Sequence, residues 1–167
     1  MAIRLEEPES AGVHPNVQRV IDAASRLGLE ISPVRFPDGT KTATEAAAAI
    51  GVEVGQIVKS LIFAVDDRLV AAYVSGKNRL DESKLALAAG GVGCTRVDAD
   101  AVRQATGYPI GGVPPFGHAS DLETFVDPDL LAYDEVWAAA GTWHDVFAIE
   151  PQRLVEASGG TVVTLKR

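Results

Sequence analysis

The chain is predicted to fold as a mixed α/β protein in which a strongly curved, barrel-like β-sheet is flanked by helices. Three observations carry that expectation. Two apolar runs rich in β-formers, Ile57–Val65 and Leu69–Ser75, are separated only by Asp66-Asp67-Arg68, which is a hairpin signal. Helical segments with recognisable start and stop residues fall between the strands, so hairpins are mixed with helical crossovers. Finally, 167 residues of 47% hydrophobic content suffice for one core, and no repeat, low-complexity linker or composition break divides residues 1–167, which are read as one domain.

Each element has its own signal. Val17, Val20, Ile21, Ala24 and Leu27 recur at helical spacing behind Pro15, and Gly28 stops the helix. Ile31–Phe36 reads as a short strand. Thr42-Ala43-Thr44-Glu45 has the capping-box pattern and opens an alanine-rich helix that ends before Gly51. After the hairpin, Asp81–Ala89 is a second alanine-rich helix, halted by Gly90-Gly91. A short strand at Cys94–Val97 precedes a helix capped by Asp98 or Asp100 and ending near Gly107. Strands are expected over Leu122–Val126, Glu135–Ala139 and His144–Ile149, with a turn of helix near Asp127–Leu131. A helix over Pro151–Ala157 and a strand over Thr161–Leu165 follow.

Composition narrows the function. No run approaches the roughly 18–20 apolar residues of a membrane span. Met1–Glu7 is acidic and lacks an apolar signal core, so a cytoplasmic location is expected. The single cysteine, Cys94, permits no internal disulfide and reads as a structural thiol. A net charge of −8 argues against an extensive DNA or other duplex interface, because phosphate neutralisation dominates such binding. The charge is uneven, however. Ile57–Lys84 holds five basic residues (Lys59, Arg68, Lys77, Arg79, Lys84) against four acidic ones, whereas Asp121–Glu135 holds six acidic residues and no basic one. Contact with the end of a nucleic acid through a small positive patch is compatible with that distribution.

The chemistry-bearing segment is Gly111-Gly112-Val113-Pro114-Pro115-Phe116-Gly117-His118, too rich in glycine and proline for regular helix or central strand. It should form a stiff loop whose few N–H groups point in set directions. Lys59 is a lone cation within Gln56–Phe63. A rigid donor loop and a strand-borne cation together suit a ligand carrying a carbonyl and a phosphate. Taken alone, Lys59 equally fits a side chain snorkelling from a sheet edge, Gly111-Gly112 a simple corner, and His118 a structural hydrogen bond. Trp137 and Trp143 read as packing residues, and Asp121 as a local cap or a partner of His118.

Motifs for other chemistries are missing: there is no nucleophile elbow, Walker loop or dinucleotide fingerprint. His14, His118 and His144 lack zinc-site spacing. Lys59 and Ser60 are neighbours on a strand and face opposite sides, which disfavours a Ser-Lys dyad. What remains is catalysis by position and electrostatics, with backbone N–H groups on an oxyanion and water as the attacking group.

The order of these segments resembles the YbaK/prolyl-tRNA editing domain family, the free-standing relatives of the editing insertion in bacterial prolyl-tRNA synthetases. The resemblance runs from about Thr42 to Val163 through Thr42–Ala47 with Gly51, Gln56–Phe63, Ser75-Gly76-Lys77-Asn78-Arg79-Leu80-Asp81 with Lys84-Leu85-Ala86, and Gly111–His118. It implies hydrolysis of the ester joining a wrong amino acid, a small one such as Ala or Cys, to tRNA, without cofactor or metal. By that resemblance Lys59 matches the lysine that holds the terminal adenosine phosphate, and Gly111 and Gly112 match the loop whose backbone positions the substrate carbonyl. The free ribose hydroxyl would assist the attacking water. His118 becomes a candidate for the amino-acid pocket, Phe36 and Thr42 for its wall, and Arg79 or Lys84 for the tRNA backbone. The implied partners are the 3′ end of a mischarged tRNA and, in a supporting role, an aminoacyl-tRNA synthetase; neither a membrane nor DNA is implied. A binding module that recognises an aminoacyl or nucleotide end without turnover is the alternative reading.

Overall fold

The computed structural model describes residues 13–167; the acidic N-terminal stretch lies outside them. Helix α1 (Pro15–Arg26) begins at the expected proline and is capped by His14, whose Nδ1 accepts from the Asn16 N–H at 2.9 Å. Helix α2 (Ala43–Ile50) carries the complete capping box, with Thr42 Oγ1 accepting from the Glu45 N–H and Glu45 accepting from the Thr42 N–H. Asp81 and Asp98 cap α3 (Glu82–Ala88) and α4 (Ala99–Thr106), and α5 (Pro151–Ser158) again starts on proline. The short polar side chains of Thr42, Asp81 and Asp98 satisfy N–H groups that a helix leaves unpaired.

The strands form two sheets. β2 (Val58–Val65) and β3 (Arg68–Ser75) make the expected hairpin, with Arg68 inside the strand and a tight Asp66-Asp67 turn. They lie at the centre of a five-stranded mixed sheet with β4 (Cys94–Arg96), β5 (Glu123–Val126) and β8 (Thr161–Val162), in the order β4-β2-β3-β5-β8. β5 runs parallel to both of its neighbours. A separate antiparallel sheet joins β1 (Val34–Arg35), β7 (Asp145–Ile149) and β6 (Val136–Thr142). The fold is the expected mixed α/β class, with its strands divided between two sheets that do not close into a barrel; among the described residues a parallel bridge, Ile57 to Trp137, links them.

Two strands are shorter than their apolar runs. Pro33 and Pro37 bracket β1 and cannot donate to a ladder, which limits it to two residues. β8 stops at Val162 because the chain leaves the sheet, buries Leu165 and pairs Lys166 with Leu80. β3 has helices and strands over both faces and is buried over most of its length. On one face Val58, Ile62 and Tyr73 pack with α1, β6 and β7. On the other, Phe63, Val65 and Val74 pack with Leu85 of α3 and with Leu165.

Candidate active site

β2 is incompletely paired, and the gap is where the candidate residues meet. β3 borders β2 along its whole length. On the opposite edge β4 pairs only with Phe63–Val65, and β6, although packed near β2, bridges only Ile57 just before the strand begins. The Gly76 N–H donates to the Ile57 carbonyl at 2.7 Å, which sets the phase of the β2–β3 ladder. Alternation then turns the N–H and C=O of Ser60 away from β3 and into the gap. A strand edge left open between two others offers backbone donors and acceptors to a ligand.

A groove follows this open edge in two halves. The more apolar half, about 390 Å³, is walled by Lys41, the N-cap Thr42, and Ala43 and Ala46 of α2, together with Ile57, Trp137, Ala139 and Val146. The other half, about 310 Å³, is walled by Arg79, Arg96, Arg167 and Glu82, with Val97, Val102 and Val113 below. Lys59, Ser60, Leu61 and Ile110 border both halves.

Lys59 therefore stands at the junction. Its ammonium donates to the Asn78 carbonyl. Asn78 is fixed in turn: its Nδ2 donates to Asp127 at 2.7 Å and to Asp129 at 2.9 Å. Buried Asp127 also accepts from the Ser75 N–H at 3.0 Å and the Asp129 N–H at 2.9 Å. The lysine tip is thus set by a network running from β3 to the segment after β5. Burial pushes the Lys59 ammonium below its ordinary pKa, and the Arg79 charge adds to that, while Asp127 works in the opposite direction. The opposite charge of a bound anion would offset both effects.

The glycine loop is clamped against the second sheet. Gly111 has φ +86, and a Cβ there would lie 2.8 Å from the Trp143 ring. The Trp143 indole N–H donates to the Ile110 carbonyl at 2.6 Å, and the Lys41 ammonium lies 4.3 Å from the ring centroid. Gly112 is required by space rather than by φ: a Cβ there would lie 2.9 Å from Gly141 C and O and from Thr142 N. Gly141 in turn packs on Asn16 of α1, whose Nδ2 donates to its carbonyl at 3.0 Å. The Gly112 N–H is spent on the Pro109 carbonyl at 2.9 Å. The Gly111 N–H has no hydrogen-bond partner among the described residues, and Gly111 lines the apolar half of the groove.

The remaining candidates separate. Thr42 lines the apolar half and Arg79 the basic half. His118 lines neither: its Nε2–H donates to the Pro114 carbonyl at 2.6 Å, and the Tyr73 hydroxyl lies 3.4 Å from the same nitrogen. Burial holds its imidazole below the ordinary histidine pKa, partly offset by the Pro114 bond. The bond closes the loop on itself and sets the ring beside core residue Tyr73. Phe36 joins its backbone N–H to the His144 carbonyl at 2.8 Å and lies outside both halves, and the Lys84 ammonium donates to the Lys166 carbonyl at 2.7 Å. Arg96 and Arg167 carry no motif in the sequence: the β2–β4 pairing brings Arg96 to the groove, and the bond from the Arg167 N–H to the Arg79 carbonyl brings Arg167. Ser60 lines both halves although it fits no Ser-Lys dyad, and Trp143 lies outside the groove and backs the glycine loop.

Ser60 Oγ is buried without a hydrogen-bond partner among the described residues, as is Trp137 Nε1. A buried hydroxyl with no partner does not support the fold. Ser60→Ala is therefore expected to leave stability unchanged or raise it by up to about 1 kcal/mol. A clear fall in the thermal unfolding midpoint would show that the hydroxyl is satisfied in solution.

Fold and groove define a small α/β domain with an open-edged, half-basic cleft, and comparison with known proteins gives that class its family. The sequence pattern of the aminoacyl-tRNA editing domain matches residues 37–157. The chain belongs to this family. A solved structure described as "a putative trans-editing enzyme for prolyl tRNA synthetase" superposes with a TM-score of 0.89 at 43% identity, covering 93% of this chain and 99% of the other. The proline–tRNA ligase of Desulforamulus reducens is 33% identical over 123 residues, 74% of this chain but only 20% of the ligase. An Enterococcus faecalis protein named "Putative Cys-tRNA(Pro)/Cys-tRNA(Cys) deacylase EbsC" is 26% identical over 121 residues, 71% of this chain and 73% of that protein.

Proposed function

We propose that the protein is a free-standing aminoacyl-tRNA deacylase that hydrolyses the ester of a mischarged tRNA. The observation that carries this reading is the division of one groove into an apolar and a basic half, with Lys59 at the junction. An aminoacyl ester on a terminal adenosine has the same two-part character. A small aminoacyl group, alanyl or cysteinyl in the first instance, enters the apolar half beside Ala46 and Ala139. The phosphate of the terminal adenosine pairs with Lys59, and the Gly111 N–H donates to the ester carbonyl. As charge develops on that oxygen the bond strengthens, and a fixed donor costs no reorganisation. Water attacks the carbonyl carbon, the adjacent ribose hydroxyl takes part in moving its proton, and the ester C–O bond breaks to give free amino acid and tRNA.

The need for such an activity is physical. A synthetase pocket separates amino acids differing by one methylene by only about 1–3 kcal/mol, so a second sieve improves accuracy. The reading places the protein in the cytoplasm with charged tRNA, and a synthetase as its supporting partner. It is tested with tRNA ending in adenosine or in 2′-deoxyadenosine, each aminoacylated at the 3′ oxygen. Release from the ribo form, with the deoxy form bound but left charged, is the expected result. Binding of both with release from neither would favour a sensor module, and equal release from both would remove the ribose hydroxyl from the reaction.

A further inference from the structure

Arg79, Arg96 and Arg167 come from three separate parts of the chain and line the same half-groove, while the chain as a whole carries a net charge of −8. Arg79 follows β3. Arg96 lies on β4 opposite Phe63 of β2, and the Arg167 N–H is held by the Arg79 carbonyl at 3.0 Å. None of the three guanidinium groups has a hydrogen-bond or ion-pair partner among the described residues, where the ion pairs are Arg35–Asp145, Arg68–Glu123, Arg153–Glu150 and Lys166–Asp129. Glu82 is the one acidic residue in the lining. Together with Lys59 this sets four cationic side chains against one acidic side chain in the lining, and the Arg79 charge already disfavours the Lys59 ammonium.

Under the functional reading above, Lys59 is matched by the phosphate of the terminal adenosine. One phosphodiester carries one negative charge, so three further cations exceed what a single nucleotide supplies. We propose that Arg79, Arg96 and Arg167 form a second subsite for the phosphodiesters of the nucleotides preceding the terminal adenosine, in a single-stranded RNA 3′ end. The inference rests on the deacylase reading for its orientation: the aminoacyl end lies in the apolar half and the strand leaves across the arginines. Phe63 is the one aromatic residue in the lining, and it is buried. The subsite therefore tracks the backbone instead of stacking bases, and tolerates changes of base.

The test compares wild type with the double variant Arg96→Gln/Arg167→Gln on two substrates. One is aminoacylated 5′-phosphoadenosine, with a single phosphate; the other is the same amino acid on whole tRNA. The variant is expected to raise KM for the tRNA about tenfold or more, with kcat little changed, and to treat the mononucleotide as wild type does. Affinity for an uncharged RNA ending in CCA should fall, and its log–log salt slope should become shallower by about 0.7 for each lost phosphate contact. Equal loss on both substrates would assign the arginines to the terminal nucleotide and overturn the subsite, as would unchanged kinetics on tRNA. A wild type that hydrolyses neither substrate but binds the CCA-ended RNA through these arginines would sink the deacylase reading and keep the subsite. Binding that ignores the arginines would sink the subsite.

Discussion

Lys59→Ala is expected to lower kcat/KM for deacylation by about 10- to 100-fold while leaving the fold and its unfolding midpoint essentially unchanged. The size follows from a hydrogen bond to a charged group, worth about 1.5–3 kcal/mol, at about 1.4 kcal/mol per factor of ten. Stability should be spared because the ammonium is partly desolvated and repelled by Arg79, so its loss removes an unfavourable charge along with one bond to the Asn78 carbonyl. The apolar half of the groove does not depend on the ammonium. Near-normal turnover would take the lysine out of the site and leave it as a snorkelling edge residue.

Gly112→Val should have an effect at least as large, by a different route. The Gly112 N–H already serves the Pro109 carbonyl, so the residue is not a free donor to substrate. Its importance is steric. Even a Cβ would come within 2.9 Å of the main chain of Gly141 and Thr142, and Gly141 has Asn16 of α1 behind it. Neither neighbour is a flexible side-chain tip that can step aside. Valine must push the loop off the second sheet and carry the Gly111 N–H out of line. Overpacking of this kind costs about 1–3 kcal/mol of stability, and loss of one oriented oxyanion donor costs about 10²–10³ in rate. Activity should therefore fall well beyond what the lost stability explains. Wild-type turnover in a folded Gly112→Val protein would contradict the placement of this loop beside the reacting carbonyl.

Local features were legible in the chain before its fold was known. Thr42 and Glu45 form the reciprocal cap their spacing announces, Asp81 and Asp98 cap as aspartates before helices do, and β2 and β3 form the hairpin their composition demands. These depend on residues a few positions apart. The site is different in kind. Its open edge exists because β4 pairs with one end of β2 and β6 bridges the other, and neither pairing leaves a mark within β2 itself. Arg79, Arg96 and Arg167 of the basic half are 17 and 71 residues apart along the chain, and the fixing of Asn78 by Asp127 spans 49 residues. Trp143 was read as packing, yet its indole holds the Ile110 carbonyl and its ring excludes any side chain at Gly111. His118 shows the converse. A histidine at the end of a glycine- and proline-rich loop invites a ligand role, but its ring turns back to the Pro114 carbonyl and toward Tyr73. Residue type suggested the chemistry of this site; long-range pairing decided which residues face it.

The most direct measurement is single-turnover release of amino acid, with protein in excess, from proline tRNA charged with alanine, cysteine, serine or proline. Proposed here is hydrolysis of at least one small mischarged ester far above its spontaneous rate, with the cognate prolyl ester spared. Release from none of the four, or equal release from all of them, would contradict an editing function for the groove.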